Sequence, residues 1–170
     1  MPVAPSGPDQ PLEIRRADYR NTADADRAIG LLDAYARDPM GGGEALSDYS
    51  RKHLAEALAA RDDALSLLAF DGEQAVGLLN AFEGFSTFYC KPLINIHDLY
   101  VAPSWRNRGL ARRLIEAIQT IARDRGCCKL TLEVLDGNAP AQASYRRAGF
   151  EPYRLDEAQG KAEFWQKLLK

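Results

Sequence analysis

Apolar residues recur along the chain with two different periods, and together these periods predict a mixed α/β fold. Four segments place apolar residues three and four positions apart, as on one face of a helix. Seven shorter segments alternate apolar and polar residues or run continuously apolar, as strands do. The first predicted helix follows a cap at 21 or 22 and stops at 38–39, and the others cover 47–60, 109–125 and 139–147. The predicted strands cover 12–16, 64–70, 74–88, 94–101, 129–135, 150–154 and 162–169.

Turn and cap residues separate these segments where the periodicity changes. Asn21 or Thr22 is suited to cap the first helix, and Asp38-Pro39 ends it. Asp71-Gly72 is a strong hairpin signal between two β-rich runs. The order β-α-α-β-β-β-α-β-α-β-β predicts an α/β sandwich around a mixed sheet. We expect one domain over residues 11–170, preceded by a flexible Pro-rich tail at 1–10.

The composition of the chain argues against several classes of protein. The chain has 170 residues and a formal net charge of -2, which argues against a general nucleic-acid binder. No apolar run approaches the roughly 20 residues of a membrane helix, and the first ten residues lack the features of a secretory signal. Three cysteines and two histidines show neither a disulfide framework nor metal-ligand spacing. We therefore expect a cytoplasmic enzyme without a metal.

The most informative segment is the strand-to-helix connection within residues 96–114. Four arginines surround the expected helix start, and no acidic residue occurs from Trp105 to Ile115. A helix N-terminus presents unpaired N–H groups and a partial positive charge, so it favours an anion. Gly109 leaves room for a phosphate to approach the backbone. The alternative is an ordinary connection with solvated arginines; the segment matches neither the Walker A nor the Gly-x-Gly-x-x-Gly pattern.

Two motifs in this order resemble the GNAT acetyltransferase superfamily. Residues 106–111 fill its pyrophosphate-loop pattern Arg/Gln-x-x-Gly-x-Gly/Ala, and residues 138–150 fill its later pattern Asn-x-x-Ala-x-x-x-Tyr-x-x-x-Gly-Phe. The resemblance implies a mostly antiparallel central sheet flanked by helices, a splayed strand, and acetyl-CoA as the acetyl donor. It also implies a set of coenzyme-binding residues: Leu99, Tyr100, Val101, Arg106, Asn107, Arg108, Gly109, Leu110, Ala111, Arg112, Asn138, Ala141 and Tyr145.

The resemblance assigns roles within the second motif, and each role has a structural alternative. Asn138 either hydrogen-bonds the pantetheine amides or only caps the short helix. Tyr145 either donates a proton to the departing thiolate or is a core aromatic. A free backbone N–H near Leu99 or Tyr100 is suited to stabilise the developing oxyanion.

The base of the site has three candidates. Relatives that acetylate polyamines and similar amines read Glu-Asp-Leu-Tyr-Val where this chain reads His97-Asp98-Leu99-Tyr100-Val101. A histidine side chain ordinarily titrates near neutrality, so His97 is one candidate to replace that Glu as the base. Asp98 is the second candidate, and solvent is the third. Because successive strand residues face opposite sides, we expect His97 and Asp98 not to point into one cleft.

The resemblance to the polyamine and thialysine branch favours a small-molecule amine as acceptor. We expect the loop 38–44, the stretch 85–89 and the last predicted hairpin to wall its site. Alternatives are acetylation of a protein or peptide and a non-catalytic acyl-CoA sensor. Family resemblance also implies a homodimer, and Phe82, Phe85, Phe88 and Tyr89 are many aromatics to leave exposed.

Overall fold

The computed structural model describes residues 12–154, 156, 158 and 162–169, which form two compact units, one up to Leu132 and one from Glu133 onward. The first unit contains five strands and three helices among these residues. They are β1 (Glu13–Arg16), α1 (Thr22–Arg37), α2 (Asp48–Ala59), β2 (Ala64–Asp71), β3 (Gln74–Ser86), β4 (Lys91–Val101), α3 (Leu110–Asp124) and β5 (Leu130–Leu132). A single 3-10 turn, Pro103–Trp105, precedes α3.

The strands form one sheet in the order β1-β2-β3-β4-β5, antiparallel except for the parallel pair β4-β5. The tight β2-β3 hairpin turns at Gly72, whose φ of 56° suits a residue without a Cβ. The mixed, mostly antiparallel sheet flanked by helices confirms the predicted fold class.

Helices cover both faces of the sheet. On one face, Ala28 and Leu32 of α1 pack against Leu68, Phe70 and Leu78. On the other, α3 lies so close to Gly77 that a Cβ there would come within 3.2 Å of Leu114 Cδ1. The apolar stripe on α3 that the sequence predicts is therefore buried against β2 and β3.

A bulge interrupts the β3-β4 ladder next to the predicted base. Ala81 pairs with Ile96 and Asn80 with Asp98, so His97 is the extra residue on β4. β4 pairs with β5 only from Ile94 to Ile96. From Asp98 to Val101, β4 pairs with β3 on one side and has no pairing with β5 on the other.

The second unit contains the helix α4 (Ala139–Arg147), which the sequence predicts with the same bounds. The two strands predicted after it, at 150–154 and 162–169, are wrong for the residues described there. Arg154 forms an isolated bridge, and residues 162–169 adopt neither helix nor strand. Alternation of apolar and polar residues gives a strand only where a partner strand supplies ladder hydrogen bonds, and the described part of 162–169 has no such ladder.

Candidate active site

The helix α3 begins at a left-handed glycine. Gly109 has φ 75° and ψ 6° and stands at the N-cap, where no side chain caps the helix. Asn107, two residues earlier, is also left-handed with φ 62°. No hydrogen bond from the described residues reaches the N–H groups of 110–112, and a Cβ on Gly109 would have no neighbour within 4 Å. The turn thus combines open space with unpaired donors, as an anion site requires.

The arginines around this turn have different partners. Arg108 lies over the ring of Trp105, with 5.0 Å from its guanidinium carbon to the ring centroid. Arg112 pairs with Glu116 at 2.7 Å, one turn along α3. Arg113 donates to the Leu12 carbonyl at 2.6 Å and so ties α3 to the start of β1. Arg108 and Arg112 are exposed and contribute positive charge beside the turn.

Arg106 connects three parts of the first unit. Its Nε donates to the Val101 carbonyl at 3.0 Å, and a terminal guanidinium nitrogen donates to the Asp38 carboxylate at 2.8 Å. Asp38 caps the C-terminal end of α1, and its other oxygen accepts from the Met40 N–H. Arg106 therefore joins the loop after α1 to the end of β4. The hydrogen bond from the Met40 N–H, followed by that from Arg106, holds the pKa of Asp38 below its usual range.

The end of β4 presents backbone groups on the side that β5 leaves open. Leu99 and Tyr100 pair with β3 on one side only, because the β4-β5 ladder stops at Ile96. The Tyr100 ring is buried and lies 5.9 Å from that of Tyr35 on α1. The predicted oxyanion and pantetheine positions at Leu99, Tyr100 and Val101 thus lie where one β4 edge lacks a strand partner in the described sheet.

His97 and Asp98 reach the same face of the sheet, so the expectation that they point to opposite sides is wrong. The His97 ring meets Phe82 edge to face at 5.0 Å, and the Asp98 carboxylate accepts from Asn80 Nδ2 at 3.0 Å. Phe82 and Asn80 lie two residues apart on β3 and share a face. The bulge adds one residue on β4 and so breaks the alternation between His97 and Asp98.

The two side chains differ in their surroundings. His97 is exposed, and its Nδ1 hydrogen-bonds Asn95 Oδ1. Asp98 is half-buried, and burial raises the pKa of its carboxyl against the opposing effects of the Asn80 hydrogen bond and the charge of His97. The charge of Asp98 adds to burial in raising the pKa values of Tyr19 and Tyr35. Asp98 is thus a partly desolvated carboxylate with tyrosines near it.

The second motif lies in the second unit. Asn138 is the N-cap of α4, and its Oδ1 accepts from the Ala141 N–H at 3.2 Å. The Tyr145 ring meets Phe150 edge to face with centroids 6.1 Å apart. The helix-cap role of Asn138 is therefore present, and the Gly149-Phe150 end of the motif packs on the tyrosine.

Sequence reasoning missed Asn80, Tyr19 and Ser66, which connect to Asp98 through hydrogen bonds. Asn80 is the single polar residue in the buried run Val76–Ala81, and a polar residue in such a run is the signal that was available. The carboxylates of Asp48 and Glu83 are ion-paired, with Arg51 and Arg125 respectively.

The part of the chain that the structure describes contains neither a cluster of metal-ligating residues nor a helix suited to span a membrane. No group of three or more His, Cys, Asp or Glu side chains is arranged to hold a metal ion. Within the same residues, every helix is too short or too polar to span a membrane.

Known proteins resemble this chain in sequence and in fold. Residues 28–150 match the acetyltransferase (GNAT) family. A thialysine N-epsilon-acetyltransferase of Caenorhabditis elegans is 34% identical over 100 residues, which are 54% of this chain and 62% of that protein. A streptothricin acetyltransferase of Streptomyces lavendulae is 41% identical over 84 residues, 49% of this chain and 44% of that one. The chain thus spans between two fifths and two thirds of the length of these relatives.

A solved aminoglycoside N-acetyltransferase in complex with CoA has the same fold. It superposes with a TM-score of 0.71 at 21% identity, covering 97% of this chain and 99% of that one. The family match covers most of the chain, and both predicted motifs lie within it. The chain therefore belongs to the acetyltransferase (GNAT) family.

Proposed function

We propose that this protein is an acyltransferase that moves the acetyl group of acetyl-CoA directly to a primary amine of a small molecule, in a ternary complex. The observation that carries the proposal is the left-handed turn at Gly109, which opens α3 with unpaired N–H groups, no side-chain cap and open space beside Gly109. The named activities of the thialysine and streptothricin relatives support amine acetylation.

The residues present fit the coenzyme. Backbone N–H groups at 110–112 and the charges of Arg108 and Arg112 are suited to hold the pyrophosphate. The open edge of β4 at Leu99–Val101 offers backbone groups of the kind that pair with amides of the pantetheine arm. Asn138 and Ala141 are proposed to contribute from α4. When bound, the coenzyme supplies the acetyl group as an activated thioester.

The acceptor is proposed to bind on the face of the sheet that carries Asp98. A half-buried carboxylate attracts an ammonium group, and the aromatic rings of Tyr35 and Phe82 on this face suit a cation as well. Thialysine, streptothricin and aminoglycosides, named for the relatives, all carry amines. The substrate class that fits is therefore a small cationic amine.

Two proton transfers accompany the reaction. The acceptor ammonium ion loses a proton to a base on β4, for which His97 and Asp98 are the candidates because the bulge brings both to this face. The Tyr145 hydroxyl is proposed to donate a proton to the leaving sulfur. A backbone N–H at Leu99 or Tyr100 is proposed to stabilise the oxyanion.

A panel of amines tests the proposal directly. Purified protein is mixed with acetyl-CoA and, in separate wells, with thialysine, lysine, a diamine, an aminoglycoside, a peptide with a free N-terminus, or no acceptor, and thiol release is followed. We expect release with at least one small amine and none without acceptor. Release with the peptide alone favours protein acetylation, and acetyl-CoA binding without release from any well favours a sensor.

A further inference from the structure

Asn80 is a buried amide inside an otherwise apolar part of β3. Its side chain occupies the α1 side of the sheet, because Leu78, two residues earlier on the same strand, packs against α1. Burying an amide without hydrogen bonds costs several kcal/mol, on the order of 2–7. Asn80 avoids this cost through three contacts: Ser66 Oγ donates to Oδ1 at 2.6 Å, the Tyr19 hydroxyl lies 3.3 Å from Oδ1, and Nδ2 donates to Asp98 at 3.0 Å.

The chemistry of these partners permits only one orientation of the amide. An ionised carboxylate only accepts, so the group facing Asp98 must be the NH₂ of Asn80. The oxygen then faces the hydroxyls of Ser66 and Tyr19, which are able to donate. Tyr19 also lies 2.9 Å from Ser66 Oγ, so the two hydroxyls support each other. Hydrogen bonds to the oxygen and from the nitrogen therefore fix the orientation of the Asn80 amide.

We propose that Tyr19, Ser66 and Asn80 are positioning residues that hold the Asp98 carboxylate in place as the base for the acceptor amine. This inference rests on the proposed acetyl transfer. Asn80 contacts Oδ2 of Asp98, and no hydrogen bond from the described residues is made to Oδ1. The second carboxylate oxygen is then the proton acceptor, whereas His97 hydrogen-bonds Asn95 and supports the site from the exposed side.

The proton balance of this step is simple. An R–NH₃⁺ acceptor gives one proton to the Asp98 carboxylate, and the amine lone pair forms the new C–N bond as the C–S bond breaks. The sulfur takes a proton from the Tyr145 hydroxyl and leaves as the thiol, and the second proton of the nitrogen restores that hydroxyl. The protonated Asp98 later returns its proton to solvent. The groups that face Asp98 are His97 on β4, Asn80 on β3, Tyr19 before α1 and Tyr35 on α1. Burial makes this carboxylate a stronger base than an exposed one, and Asn80 keeps it ionised.

The first test measures the carboxyl group itself and needs no substrate. The ¹³C carboxyl resonance of Asp98, assigned by its loss in Asp98→Asn, is titrated in wild type, Asn80→Leu, Ser66→Ala and Tyr19→Phe. Removing a hydrogen bond to the charged form raises the pKa, by about one unit for Asn80→Leu and by less for the hydroxyl variants. Gln119→Leu is the control, since that amide lies on α3, on the other face of the sheet, and its loss should leave the Asp98 titration in place.

The second test measures the pH dependence of kcat/KM with the best small amine of the panel. The wild-type rate should rise with pH as Asp98 ionises, and the rise should move to higher pH in Asn80→Leu, by the same amount as the carboxyl titration. His97→Ala should retain the rise. If Asn80→Leu does not fold, Ser66→Ala and Tyr19→Phe carry the same comparison with smaller shifts.

Three outcomes separate the possible failures. A carboxyl titration that is unchanged in the folded variants overturns the positioning chain. A titration that shifts without moving the rise in kcat/KM overturns Asp98 as the base. A wild type that transfers acetyl to no amine overturns the proposed function, while the titration still reports on the hydrogen bonds.

Discussion

At the scale of single residues, the glycine that opens α3 has a counterpart at the helix's other end. Gly109 and Gly126 are both left-handed, with φ 75° and 70°, and a Cβ on either would meet nothing within 4 Å. A side chain at either position costs about 1–2 kcal/mol of backbone strain. The two positions therefore differ mainly in the unpaired N–H groups that follow Gly109.

Substituting these glycines should separate coenzyme binding from strain. Gly109→Glu is expected to weaken acetyl-CoA binding by well over tenfold, because a bulky anion then occupies the phosphate position. Gly126→Glu introduces the same residue and similar strain and should bind acetyl-CoA like wild type. Isothermal calorimetry measures both. Equal affinities for the two folded variants would contradict the pyrophosphate assignment.

A second residue-scale prediction concerns the proton that reaches the leaving sulfur. Tyr145→Phe should lower turnover by about a hundredfold, the usual contribution of a general acid, and leave coenzyme affinity nearly intact. Tyr49→Phe, an exposed tyrosine on α2, is the control. Single-turnover rates are the right measurement because they exclude product release. A full-rate Tyr145→Phe enzyme would reduce Tyr145 to a packing residue.

The candidate bases His97 and Asp98 show where prediction from sequence fails at the scale of residues. The motif located His97 and Asp98, but strict alternation placed them on opposite faces. The position of the β3-β4 bulge depends on which residues of the two strands pair. The sequence of one strand does not determine this register, so the bulge could not be predicted from it. The partners of Asp98 come from 18 and more positions away in sequence, as Asn80 does, so only the folded sheet reveals them.

At the scale of elements, Arg106 connects the loop before α3 to two other elements. Its contacts to Val101 and Asp38 join β4 to the end of α1. Arg106→Met should therefore weaken acetyl-CoA binding by several-fold and lower the melting temperature slightly, since an exposed ion pair contributes only about 0–1 kcal/mol. Arg123→Met, on exposed α3 surface, is the control. An unchanged affinity in Arg106→Met would limit this arginine to local packing.

The same scale shows what periodicity predicts well. The helices and the first four strands begin and end within a few residues of the predicted bounds, because caps, Asp38-Pro39 and the Asp71-Gly72 turn mark their ends. β5 is shorter than predicted, three residues from Leu130 to Leu132. A strand's length depends on its neighbour, and β4 and β5 pair over only three residues.

At the scale of the whole molecule, one ion pair makes stability depend on acid pH. Asp24 is buried, and Arg15 donates to both its oxygens at 2.6 and 2.7 Å. This hydrogen bonding, opposed by burial and helped by the Asp18 N–H and by Arg27, lowers the pKa of Asp24 to about 2. The lowered pKa corresponds to about 2 kcal/mol of stability, present above the ordinary carboxyl range and lost as pH falls towards 2.

Chemical unfolding at several pH values tests this contribution. Asp24→Asn should unfold about 2 kcal/mol more easily than wild type at neutral pH, and the gap should narrow as pH falls towards 2. Asp26→Asn, an exposed neighbour on α1, should show little change. A gap that stays constant down to pH 2 would show that the charge of Asp24 does not contribute.

Self-association is the second whole-molecule prediction, proposed from family resemblance together with exposed aromatics. Phe85 lies near the end of β3, and Phe88 and Tyr89 lie in the turn between β3 and β4. All three side chains are exposed, Phe88 by 96%, whereas Phe82 is half-buried. We expect a homodimer at micromolar concentration, weakened by Phe88→Ser. Sedimentation velocity showing wild-type monomer at that concentration would contradict the proposal.

Transfer of a labelled acetyl group tests the central claim most directly. Acetyl-CoA carrying ¹³C in both acetyl carbons is incubated with the protein and the best small amine, and the products are analysed by mass spectrometry. The account predicts one labelled acetyl group on the amine nitrogen for each coenzyme A released, and no reaction without protein. Coenzyme A released with labelled acetate and an unmodified amine, or no release at all, would contradict it.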